Sequence, residues 1–148
     1  MITIADIRAK NPCYDPARYL PEGWSGTLLD VLAVENVPCE DRVWVVTQFL
    51  DDKTNRLFAV WCAREALKLV DNPDPRSWAA CDVAERFANG QATWQELVAA
   101  KKNARAAARG IAGLLAWSAA WKSARAAAMT SRGPGQVQKL RELISAKP

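Results

Sequence analysis

The chain contains no histidine. That removes the usual general base at neutral pH, the Ser-His and Cys-His nucleophile pairs, and any His-ligated zinc or iron site. Cysteine is sparse. The four at 13, 39, 62 and 81 form no C-x-x-C pair and lack the density of a disulfide scaffold, which predicts reduced thiols in a cytoplasmic protein. Long apolar runs are missing too: the longest uncharged one, residues 110 to 121, would cover about 18 Å as a helix against a bilayer core of about 30 Å. No membrane crossing is expected. The opening M-I-T-I-A-D-I-R has no basic start followed by an apolar stretch, so no signal peptide is expected either. Acid is nearly absent from the last third, where residues 101 to 148 hold ten Lys and Arg but a single carboxylate, Glu142.

What is present points to an all-α fold. The 148 residues, half of them hydrophobic, suit one compact domain with a core of ordinary size. The net charge of +4 conceals a split, because residues 1 to 100 carry ten Lys and Arg against fifteen Asp and Glu. The expected layout is an acidic helical body over 1–92, a long basic Ala/Trp-rich helix over 93–131 and a short C-terminal helix over 136–145, in all a bundle of about six to eight helices. Such a split serves either a basic helix docked on its own acidic body or a cationic face offered to an anionic partner.

The long helix organises the rest. Thr93 and Glu96 have the spacing of a capping box, and no proline interrupts the alanine-rich run up to Ser131. Gly110 and Gly113 mark the expected bend. Leu97, Ala104, Ala108, Ile111 and Leu115 fall on one side of the wheel, and Lys102, Arg105 and Arg109 on another. Earlier segments follow the same logic. Thr3 to Ala9 reads as a short helix, Asn11 to Gly26 as mostly irregular, and Thr27 as the cap of a helix to about Glu35. V-W-V-V-T-Q-F-L has the β-branched content of a strand but an acidic lead-in, Glu40-Asp41, and no evident partner strand, so it is assigned to helix. Asp51-Asp52 start a helix over Lys53 to Val70 whose Phe58, Trp61, Cys62, Ala66 and Leu69 share a face, and Asp74-Pro75 start another that Asn89-Gly90 ends. Gly133-Pro134-Gly135 reads as a break before Gln136 to Ser145.

The candidate binding residues are Lys101, Lys102, Arg105 and Arg109, continued by Lys122 and Arg125, with Trp117 and Trp121 one turn apart among alanines. The cations suit a phosphate-bearing ligand or an acidic protein face, and the plain alternative is a solvated helix surface. The two tryptophans suit a stacked base or a close helix-on-helix contact, the latter predicting a homodimer or higher homo-oligomer; the plain alternative is core. Arg64, Arg76, Arg86 and Glu85 read as a buried ion-pair and capping network that fixes the helix order, with a functional pocket as the alternative. The Asp51-Asp52 and Asp71-to-Asp74 clusters read as helix starts, so no metal or other cofactor is expected. Nucleic acid is not favoured as a partner, since no recognised binding motif accompanies the charge.

Three segments carry a resemblance. R-L-F-A-V-W-C-A-R at 56–64, D-P-R-S at 74–77 and A-E-R-F-A-N-G-Q-A-T at 84–93, followed by an Ala/Trp/Arg-rich helix, resemble a widespread bacterial and phage family that carries the label immunity protein. Its members typically have longer A-A-W-A-A-A repeats than this chain. The resemblance implies a non-enzymatic inhibitor of the immunity or phage anti-defence type, which neutralises a target by occlusion; it transfers no functional residues. Two further readings stand beside it: sequestration of a small anionic nucleotide in a basic pocket, and a purely structural oligomerisation module. An enzyme would have to work with Asp, Glu or Cys alone and is not expected.

Overall fold

A computed structural model describes residues 1–108 and 133–146. The fold is all-α, with seven helices among the described residues, one 3-10 turn and a single two-stranded antiparallel pair. The described residues gather into two compact units, 1–50 with 133–146, and 51–108.

The first unit is built from short helices, each held at its start by side-chain chemistry. Helix α1 (Ile4–Arg8) and helix α2 (Leu28–Ala33) both begin with complete capping boxes, Thr3 with Asp6 and Thr27 with Asp30. Those hydrogen bonds favour the ionised carboxylates and hold both Asp6 and Asp30 below the usual carboxylate range. Strand β1 (Ile2–Thr3) pairs with strand β2 (Ser25–Gly26), Ile2 opposite Gly26, which closes the segment between them into a loop. The sequence predicts a helix at its start and a mostly irregular stretch after Asn11 but no strand; two residues per strand are too few to show an alternating pattern. Helix α3 (Cys39–Thr47) carries the V-W-V-V run, so acidic first-turn residues outweigh β-branched propensity, with Val45 and Val46 buried.

Helix α7 (Gly133–Ser145) packs on α2 and α3 and buries Val137 and Leu140 there. It starts at Gly133, three residues earlier than the G-P-G break predicts. Proline in a first turn forfeits an N–H that has no intrahelical partner anyway, and its fixed φ suits the helix. Glycine at 133 also lets the backbone press on Cys39: a Cβ there would overlap the Cys39 Cβ. Two guanidinium groups then converge on one carbonyl, as Arg42 Nη1 and Arg141 Nη2 donate to Leu32 O at 2.9 and 3.0 Å. Cations at the carboxyl end of α2 satisfy an orphan acceptor and pin α3 and α7 to it.

The second unit stacks three longer helices in sequence order: α4 (Asp52–Leu67), α5 (Pro75–Ala88) and α6 (Trp94–Ala108), with α5 packed on both others. Asp51 caps α4 by accepting from Thr54 N, and Asp74 caps α5 by accepting from Arg76 N ahead of Pro75. Phe58 and Val60 of α4 and Cys81 of α5 are buried. Leu69, expected on the buried face, is 47% exposed. The chain tightens after Ala66 into three-residue hydrogen bonds, Leu69 N to Ala66 O and Val70 N to Leu67 O, and the changed pitch turns Leu69 off the stripe. At the end of α5, Gly90 adopts φ +73°, while Gln91 N and Gly90 N reach back to Arg86 O and Phe87 O. That is the left-handed closure expected of glycine, here at Gly90 alone, with Asn89 still at φ −89°.

A basic cleft along helix α6

Helix α6 begins where the sequence predicts. Thr93 N donates to Glu96 at 2.6 Å and Glu96 N donates to Thr93 Oγ1 at 3.2 Å, the reciprocal pair of a capping box. Glu96 is the only acid in α6. Its carboxylate is held below the usual range chiefly by the Thr93 hydrogen bonds, and it also pairs with Arg86 of α5 at 3.1 Å. The helix's one negative charge is thus committed at its amino end, and the cations further along receive nothing from it.

Those cations are Lys101, Lys102 and Arg105, all exposed. Among the described residues none of the three has an ion-pair partner. They line an open cleft of about 620 Å³ together with Trp94, Leu97, Val98 and Ala106 of α6 and Arg56 of α4. Steps of three and four residues connect Trp94, Leu97, Val98, Lys101, Lys102 and Arg105 into one stripe. The stripe is apolar at its amino end and cationic at its carboxyl end. Trp94 is 62% exposed and Val98 46%, so the apolar end is open to solvent.

Aromatic contacts join the helices that form the cleft. Arg56 Cζ lies 4.8 Å from the centroid of the Phe87 ring, and Phe87 lies 6.0 Å from Trp94 with the rings tilted by 58°. Arg56 of α4, Phe87 of α5 and Trp94 of α6 therefore form a cation–ring–ring series that sets the guanidinium and the indole relative to each other. Lower down, Arg64 clamps α4 to α5 by donating to Asp82 at 2.8 Å and Glu85 at 2.7 Å. The two carboxylates raise its already high pKa further. Arg76 folds back on Asp74 at 2.7 Å. Arg64 and Arg86 link neighbouring helices and Arg76 braces the start of its own, and the network is partly exposed where the sequence predicts a buried one.

The structure brings Lys101, Lys102 and Arg105 together on one face. Arg109, Trp117, Trp121, Lys122 and Arg125, and the expected bend at Gly110 and Gly113, lie outside the described residues. Five cleft residues were not foreseen: Arg56 of α4, and Trp94, Val98, Ala106 and Leu97 of α6, the last expected on the side away from the cations. Trp94 could have been found, since it stands two turns ahead of Lys101 on the same stripe, whereas Arg56 is brought in only by the packing of α4.

No disulfide joins the cysteines, and burial among apolar groups pushes Cys81 up, away from the thiolate a nucleophile needs. No group of three or more Cys, Asp and Glu among the described residues is placed to hold a metal ion. In the first unit, the cavity lined by Ile7, Tyr14, Leu20, Val31 and Val45 has a volume of about 10 Å³, room for no more than one water. Tyr14 beside it is pushed up to about 12, first by burial and then by Asp41. No described helix is long and apolar enough to cross a membrane. Comparison with protein-family models, with curated proteins and with solved structures finds no match to this chain.

Proposed function

We propose that the protein is a non-enzymatic binding protein of the immunity or phage anti-defence type, which neutralises an acidic protein target by occluding it through the basic face of α6. The observation that carries this reading is the set Lys101, Lys102 and Arg105, without ion-pair partners among the described residues and exposed beside Trp94 and Val98 on one stripe. The one acid of the helix is engaged at its amino end with Thr93 and Arg86, so among the described residues no carboxylate offsets the positive field along α6, which favours an anionic partner. Exposed tryptophan with arginine at its side is the composition from which interface hot spots are drawn. The three segments that resemble the immunity-protein family favour an inhibitor over a catalyst. Cytoplasmic action and a homo-oligomeric state belong to the same reading.

The test is the K101E/R105E double variant, whose exposed positions tolerate charge without disturbing the fold. Acidic proteins retained by the wild-type chain from bacterial lysate and identified by mass spectrometry should be lost by the variant, and calorimetry on the purified pair should give the same order. Equal retention by both chains would refute the reading.

A further inference from the structure

The cleft has two chemically different ends, and that asymmetry specifies more than an acidic partner. Trp94, Leu97 and Val98 make the amino end apolar, while Lys101, Lys102 and Arg105 make the carboxyl end cationic. From Trp94 to Arg105 is eleven residues, about 16 Å along the helix axis. Arg56 enters from α4, its guanidinium set over Phe87. We infer that the cleft seats an acidic segment of a partner protein that carries an apolar anchor at one end, packed on Trp94 and Val98, and carboxylates beyond it, paired with Lys101, Lys102 and Arg105. This rests on the binding function proposed above and adds the form of the epitope.

Charge complementarity chooses the sign of the occupant, and openness chooses its size. The described lining comes from α4 and α6 alone, and Trp94 remains 62% exposed. A small-molecule site encloses most of its ligand, whereas an open stripe three turns long matches a peptide segment laid along it. The apolar end matters because an exposed ion pair alone contributes little; a buried anchor supplies affinity, and the charges supply register and association rate. Arg56 is suited to a bidentate carboxylate contact, being already oriented by Phe87.

The test uses the full chain and two fluorescein-labelled peptides, one with a pair of leucines followed by a run of glutamates and one with serines in place of the leucines. In low salt the leucine-bearing peptide should bind about tenfold more tightly, the scale of a truncated hot-spot contact. Trp94→Ala should erase that difference by weakening the leucine peptide far more than the serine peptide, whose binding rests mainly on Lys101, Lys102 and Arg105. K101E/R105E should abolish binding of both. Val98→Ser, at a second exposed position, should narrow the same difference and stands in if the tryptophan variant misfolds. Equal affinity for the two peptides, or no effect of Trp94→Ala, overturns the anchor inference while leaving an acidic partner in place. Unchanged binding by K101E/R105E overturns both. Displacement of the leucine peptide by micromolar ADP or a cyclic dinucleotide overturns the peptide in favour of a nucleotide.

Discussion

Replacing Phe87 by leucine should loosen the cleft from behind without touching its lining. The Phe87 ring takes the Arg56 guanidinium at 4.8 Å and meets the Trp94 ring at 6.0 Å. An exposed cation–π contact contributes about 0.5–1 kcal/mol and a tilted aromatic pair about 0.5–1.5 kcal/mol beyond area burial. Leucine keeps most of the apolar volume, so Phe87→Leu should cost about 1–2.5 kcal/mol, the sum of the two ring-specific contacts. Urea unfolding followed by circular dichroism measures the loss. A double-mutant cycle of Phe87→Leu with Arg56→Met should return a coupling of about 0.5–1 kcal/mol for the cation–ring part, provided neither single variant creates a new contact. A stability change within about 0.3 kcal/mol of wild type, with no coupling in the cycle, would mean that the ring does not hold Arg56 and Trp94 in place.

Three further outcomes follow from the packing. Leu140→Ala removes a side chain with 0% exposure from the α7 face that meets α2 and α3, and should cost about 2–5 kcal/mol in urea unfolding. Asp74 is held down to about 2 by hydrogen bonds from Arg76, against an ordinary 3.8. Its contribution is therefore present above about pH 4 and lost as the pH falls toward 2, so the urea midpoint of wild type should fall more steeply over that window than that of Asp74→Asn, which keeps a capping oxygen. Gly90→Ala meets no neighbouring atom within 4 Å but forces a side chain onto φ +73°, so a loss of about 1 kcal/mol should appear, reduced in Gly90→Asn.

Local chemistry made much of the architecture legible. Thr3, Thr27, Asp51, Asp74 and Thr93 each start a helix because a short polar side chain can take an orphan N–H, a rule that needs no tertiary information. Leu69 and the start of α7 were misjudged for a related reason. Whether a helix tightens in its last turn, or accepts a Gly-Pro-Gly start, depends on what the neighbouring backbone presses against, and Cys39 against Gly133 cannot be read from sequence order. The cleft shows the same division. Its cations stand in the sequence of α6, and even Trp94 is on their stripe, but Arg56 lies 38 positions upstream of Trp94 and reaches the site only because Phe87 of the intervening helix carries it there.

The most direct measurement of the central claim, that α6 presents a cleft for an acidic partner, is a two-dimensional nitrogen–proton NMR titration of the full chain with the leucine-glutamate peptide. The Trp94 indole N–H can be assigned by its disappearance in Trp94→Phe. Saturable shifts of that indole and of the Val98, Lys101, Lys102 and Arg105 amides, weakening as salt is raised, are the predicted result. Shifts confined to the unit that holds Leu32 and Leu140, or no saturable shift at low salt, would contradict it.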